Sequence, residues 1–202
     1  MTHQILLLSL AAGLLVGCAG SNDPYGRTAY LRGVGDPTAV GAYRQEGPMA
    51  DSVSYWDGEG YSGAPSVVID LTRQQALFYK GGRLVGSSLI SSGREGYRTP
   101  TGNFKIIQKS RDHASNLYGK IVDAYGNVVN PDADSRKDPV PRGGRFVGAP
   151  MPYFMRIHGG IGLHAGYIPG YPASHGCIRM PERMARTFFD NVAYGTPVRV
   201  IR

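Results

Sequence analysis

The stretch SVVIDLTRQQALFYKGGRLV, residues 66–85, decides the fold class. Val67, Val68, Ile69 and Leu71 form a short β-branched run, and Ala76, Leu77, Phe78 and Tyr79 form a second apolar segment of strand length. Gly81 and Gly82, between Lys80 and Arg83, supply the positive φ of a tight hairpin turn. Leu84, Val85, Leu89 and Ile90 then continue as a third strand, so the domain opens as an antiparallel meander.

Working downstream, Thr99-Pro100-Thr101-Gly102 is turn chemistry leading into a strand through Phe104, Ile106 and Ile107. Residues 111–150 hold Pro131, Pro139, Pro141, Gly143 and Gly144 and read as a long loop, a length that makes it a candidate lid. Met151 to Ile157 and Ile161 to His164 flank Gly159-Gly160 as a second hairpin. After Pro181, a residue suited to the first turn of a helix, Met184, Ala185, Phe188, Phe189 and Val192 recur at three- and four-residue steps until Tyr194 and Gly195. Val198, Val200 and Ile201 alternate with Arg199 and Arg202 as a terminal strand. The expected fold is mostly β (β-rich α+β), with one principal helix.

Upstream of residue 66 the pattern fades. From residue 18 to 65 the chain is rich in Gly, Tyr, Ser, Asp and Pro with no sustained apolar period, which predicts a partly disordered tether that includes Trp56. Ile5 to Val16 is too short to span a bilayer and has the length of a signal-peptide apolar region. Leu15-Val16-Gly17-Cys18 follows the small-residue pattern of a bacterial lipoprotein signal. The expected division is a signal peptide over 1–17, an acylated Cys18 with its tether over 18–65, and a folded domain over 66–202. Ala19 and Gly20 lack the Asp that, in the lipoproteins this start resembles, favours the inner membrane, so the expected location is periplasmic, anchored to the outer membrane.

The 202 residues carry 22 Lys and Arg against 15 Asp and Glu, a net charge of +7. The cations form no clustered run and no nucleic-acid motif is present, so the balance suits an acidic envelope partner and no nucleic acid. Of the two cysteines, acylation would occupy Cys18 and leave Cys177 alone. Exported proteins rarely keep an unpaired thiol without a use. The plainer readings are a Cys18–Cys177 disulfide or an inert buried thiol.

Cys177 lies in Ser174-His175-Gly176-Cys177-Ile178-Arg179-Met180. A thiolate is the nucleophile, and an ordinary thiol with pKa near about 8.5 is mostly protonated at neutral pH, so a base must assist it. His164 at a strand end is the first candidate, because strand ends hold preorganised groups better than turns; His158, beside the Gly159-Gly160 turn, is the alternative. Gly176 permits a backbone conformation that lets the Cys177 N–H meet a developing oxyanion. Arg179 has the geometry to hold a carboxylate in a bidentate pair or to brace the motif, and Ser174 is placed to cap the same turn at the substrate site. The histidines and Cys177 form no zinc spacing, so no metal or cofactor is expected.

These residues carry a resemblance. Val68-Ile69-Asp70-Leu71, Thr99-Pro100-Thr101-Gly102 and, above all, the run from Ser174 to Met180 resemble the catalytic domain of the L,D-transpeptidases of YkuD type, over Ser66 to Arg202. The resemblance implies a β-sandwich or barrel, and acyl transfer on peptidoglycan stem peptides. Cys177 would attack the carbonyl of the third stem residue, a diamino acid, release the terminal D-alanine and pass the acyl group to an amine of another stem or of an envelope protein. With water as acceptor the same site would be an L,D-carboxypeptidase. The strand Gly160 to Leu163 resembles the one that leads to the family's catalytic histidine, which favours His164, while His175 lines the site beside the nucleophile. Acylation by carbapenems is implied as well. Two other classes compete. In a papain-like peptidase the cysteine precedes its histidine, whereas His164 comes first here. A non-catalytic tether between outer membrane and wall would have no need of an intact motif.

Overall fold

A computed structural model describes residue 51 and residues 53–202. The expected signal segment, Cys18 and the tether up to residue 50 lie outside the described residues. Among the described residues eleven strands and one helix follow in order: β1 (Tyr55–Trp56), β2 (Pro65–Asp70), β3 (Gln75–Lys80), β4 (Arg83–Leu89), β5 (Gly102–Lys105), β6 (Gln108–Val122), β7 (Val128–Asp134), β8 (Arg145–His158), β9 (Ile161–Ala165), β10 (Ile178–Met180), α1 (Glu182–Asn191) and β11 (Pro197–Ile201). The mostly β fold expected from the alternating segments is the one observed, built as two sheets.

The first sheet has the order β1-β4-β3-β2-β11-β5. The meander read from residues 66–85 forms its centre, with Val67 opposite Phe78 and Ile69 opposite Ala76, all four buried. Alternation decides this register, since a one-residue slip would turn those side chains to solvent. β11 closes the sheet internally, parallel to β2 and antiparallel to β5, and buries Val198 and Val200. The second sheet has the order β10-β9-β8-β6-β7. Between them, α1 sends Met184, Ala185, Phe188 and Phe189 into one core with Phe78, Met155 and Leu163. The helix begins after Pro181 and stops at Asn191, with Val192 already extended, so Tyr194 and Gly195 belong to the turn beyond it.

Three readings are corrected. Residues 111–150 are no loop: they hold most of β6, all of β7 and the first part of β8, paired as a long antiparallel arm. Much of the arm is wet on both faces, so its strands show no apolar alternation, while Pro131 sits at a register shift and Pro139 and Pro141 lie outside the strands. Phe104, Ile106 and Ile107 do not share one strand. Ile106 N–H donates to Thr196 O and Ile107 N–H to Arg156 O, so the chain changes sheets at this point, with Ile106 buried and Ile107 exposed.

The third correction concerns the tether. β1 pairs with β4, and Trp56 packs edge-on against Phe78 with ring centroids 5.1 Å apart. A Cβ added at Gly86 would lie 2.6 Å from the indole, so a glycine is needed on that face. The folded unit therefore includes residues 53–65. Two residues make too short an alternation to be legible.

Candidate active site

The second sheet sets Cys177, immediately before β10, and His164 on β9 at neighbouring strand positions. β10 runs parallel to β9 with Ile178 opposite Leu163 and Arg179 opposite His164, which sets Cys177 beside Gly162. Side chains two residues apart on a strand share a face, so His164 projects on the same side as position 162, one pleat along. Gly162 has no side chain to intervene: a Cβ there would lie 2.6 Å from both Met155 O and the Phe154 ring. The half-buried thiol of Cys177 sits 3.5 Å from Gly160 O, which accepts from it, and the Gly162 backbone also hydrogen-bonds the sulfur.

His164 is buried, at 6% exposure, and its Nδ1 lies 2.7 Å from Ala165 O. A carbonyl only accepts, so Nδ1 carries the proton and Nε2 is left as the acceptor. Burial pulls the imidazole down to about 4, against a smaller upward push from the Ala165 hydrogen bond, with Arg179 and His113 adding positive charge nearby. Burial likewise pushes the Cys177 thiol above its ordinary value, with the Gly162 hydrogen bond, Arg179 and Arg156 opposing it. At neutral pH the pair rests as thiol and neutral imidazole.

His158, the alternative base, ends β8 exposed to solvent with its ring centroid 5.6 Å from that of Phe104, on the first sheet. His175 occupies a different niche. It stacks on Tyr118 of β6 at 4.1 Å and meets Tyr97 edge-on at 4.6 Å. Its Nε2 accepts from Arg94 Nη2 at 2.8 Å, and Asp132 of β7 lies 3.9 Å away. A guanidinium only donates, so His175 also carries its proton on Nδ1. Burial first, then the Arg94 charge, holds its pKa below the usual value.

The motif loop is pinned from within. Ser174 Oγ donates to Cys177 O at 2.5 Å and accepts the Gly176 N–H at 3.0 Å. Gly176 takes φ +111°, a conformation side chains resist. Arg179 lays its aliphatic stem against Gly166, where a Cβ would lie 3.1 Å from Cγ, and its charge acts on His164, His175 and Cys177 alike. The segment 91–99 forms the other wall: Ser91 exchanges both backbone hydrogen bonds with Arg179, and Ser92 O accepts from Ala173 and Ser174. Sequence reasoning missed Arg94, Tyr97, Tyr118 and Asp132, which no local pattern ties to residue 175. It took Thr99 for turn chemistry within a stretch that resembles the family, with no role at the site.

Among the described residues no group of three or more His, Cys, Asp and Glu is placed to hold a metal ion. A groove of about 630 Å³ between Trp56, Tyr153 and α1 includes neither Cys177 nor His164. The arrangement provides a thiol, a neutral imidazole acceptor, a nearby cation and a backbone turn held in place.

The fold is similar to that of an L,D-transpeptidase from Mycobacterium smegmatis, with 19% identity and TM-score 0.53 over 68% of this chain and 58% of that one. It is also similar to a mutant of the Enterococcus faecium L,D-transpeptidase, with 26% identity and TM-score 0.50 over 69% and 50% of the two chains. The L,D-transpeptidase from Xylanimonas cellulosilytica gives 26% identity and TM-score 0.51 over 70% and 62%. The chain thus spans between 50% and 62% of these structures' chains. No sequence among the curated proteins matches. The model of the L,D-transpeptidase catalytic domain matches residues 64–200, from β2 almost to the end of β11. The chain belongs to the YkuD family of L,D-transpeptidase catalytic domains.

Proposed function

We propose that the protein is a peptidoglycan L,D-transpeptidase that works through an acyl-enzyme on Cys177. The observation that carries this reading is the placement of Cys177 beside Gly162 with His164 one pleat along, its Nδ1–H committed to Ala165 O so that Nε2 is the ring's acceptor nitrogen. Sγ attacks the carbonyl carbon of the third stem residue as its proton passes to His164 Nε2. The C=O electron pair moves to oxygen, where the Cys177 amide receives it. Collapse of this intermediate breaks the C–N bond, and His164 returns the proton to the departing D-alanine nitrogen. An amine of a second stem or of an envelope protein then takes the acyl group by the same steps. Water in its place makes the enzyme an L,D-carboxypeptidase. Arg179 contributes positive charge for a stem carboxylate, and Ser174 and Gly176 shape the turn. Acylation of Cys18 would hold the domain in the periplasm at the outer membrane, within reach of the wall.

Full-length protein incubated with tetrapeptide muropeptides is expected to release D-alanine and form cross-linked dimers, seen by mass spectrometry. Cys177→Ala and His164→Ala abolish both products. Free tripeptide without dimers would assign the carboxypeptidase. No product and no acyl adduct with imipenem, from wild type that binds sacculi, would favour the tether.

A further inference from the structure

Thr99 is 2% exposed, and its hydroxyl is used twice. Oγ1 accepts the Gly93 N–H at 2.9 Å and donates to Gly176 O at 2.8 Å. The two segments meet backbone to backbone here: a Cβ at Gly93 would lie 3.0 Å from the Gly176 Cα. Gly176 O belongs to the peptide whose nitrogen is that of Cys177. In a trans peptide C=O and N–H point in opposite directions, so a carbonyl held inward on buried Thr99 turns the Cys177 N–H away from the interior. Gly176, at φ +111°, has no Cβ to limit rotation of that plane, so an external contact must fix it. Ser174 fixes the plane on the other side of Cys177 through Cys177 O.

We infer that Thr99 is a positioning residue for the reaction: its hydroxyl, acting through Gly176 O, aims the Cys177 amide at the oxygen that becomes negative when Sγ attacks. This rests on the proposed acyl-enzyme and deepens it. Thr99 touches no reacting atom. Its effect is therefore confined to steps in which an oxyanion forms, which separates it from a residue that merely holds the loop. Alkylation of Sγ by iodoacetamide displaces iodide from a saturated carbon and forms no oxyanion. Acylation by imipenem opens a lactam carbonyl and does.

The test uses full-length protein and intact-mass kinetics with both reagents. Thr99→Val, which keeps the shape and removes the hydroxyl, is expected to slow imipenem acylation about tenfold to a hundredfold and to leave alkylation within about twofold of wild type, in keeping with the cost of a misplaced oxyanion donor. Thr99→Ser restores acylation. Thr99→Ala reads the same ratio should Thr99→Val not fold. Acylation unchanged in Thr99→Val, or both rates falling together, overturns the inference. Wild type that is alkylated but acylated by neither imipenem nor tetrapeptide overturns the proposed function and this inference with it, whereas active wild type with an unchanged ratio overturns the inference alone.

Discussion

Acidification should destabilise the protein through His164, and the size of the effect follows from its burial. The imidazole is 6% exposed, its Nδ1–H is spent on Ala165 O, and its pKa stands at about 4 in the folded chain. In the unfolded chain it returns to about 6.5. Between these values the unfolded state binds more protons, so stability rises with pH. The contribution is complete above the unfolded pKa and is lost as pH falls through the folded one. Linkage gives a loss of about 2 kcal/mol between pH 7 and pH 5, and about 3 kcal/mol by pH 4. His113 and His175, both held low chiefly by burial, add losses of the same sign. Urea unfolding of wild type and His164→Gln at both pH values isolates the one residue, because the other histidines cancel in the difference. Wild type should lose about 2 kcal/mol more than the variant on going from pH 7 to pH 5. Parallel losses would refute the reasoning and show that His164 is solvated or already charged in the folded state.

Trp56→Ala should cost about 2–3 kcal/mol, at the low end for a large aromatic because Trp56 is only partly buried against the core, as urea unfolding would measure; a chain begun at Ser66 should be weakened similarly by losing β1. Gly162→Ala places a methyl 2.6 Å from Met155 O, a backbone atom that cannot swing aside, so stability should fall by about 1–3 kcal/mol in urea and imipenem acylation should slow. Arg94→Ala removes a guanidinium hydrogen-bonded to His175 Nε2, and the His175 pKa should rise when followed by NMR titration, because its charge partner of like sign is gone and Asp132 remains.

The parts of the fold legible in sequence are those whose period meets a single buried face. Val67, Ile69, Ala76 and Phe78 declare two strands, and Met184, Ala185, Phe188 and Phe189 declare the helix, because each set points into the same core. The arm of β6, β7 and β8 reads poorly for the opposite reason: its strands project beyond that core, and their pairing is held by backbone hydrogen bonds that leave no mark on composition. β1 is hidden by its brevity, although Trp56, partly buried, packs against the core edge-on to Phe78. At the site, residues 174–179 are contiguous and could be read together. His164 was reachable because its strand precedes them closely. The wall formed by Ser91, Arg94, Thr99 and Tyr118 could not be read, since strand pairing and loop contacts alone bring those positions to the motif.

The two shifts at the candidate pair bear on how the nucleophile is made. A depressed imidazole and an elevated thiol both favour the neutral forms, so the site does not store a thiolate–imidazolium pair as a low-pKa cysteine would. On the proposed mechanism Sγ then loses its proton as it attacks, with His164 Nε2 as the acceptor at the moment of reaction. Acylation should need only that His164 be neutral. Its acid limb should therefore fall near pH 4, with a plateau through neutrality. Alkylation by iodoacetamide has no such assistance and needs the thiolate itself. Its rate should keep rising with pH beyond the ordinary thiol range. Stopped-flow acylation by imipenem and intact-mass alkylation, each followed from pH 4 to pH 10, separate the two curves. Coincident profiles with a common midpoint between pH 6 and pH 8 would mean that a thiolate–imidazolium pair exists at rest and that burial does not govern this site. Divergent profiles would mean that a thiol kept protonated resists adventitious electrophiles and is activated only by a substrate carbonyl set between Sγ and the Cys177 amide.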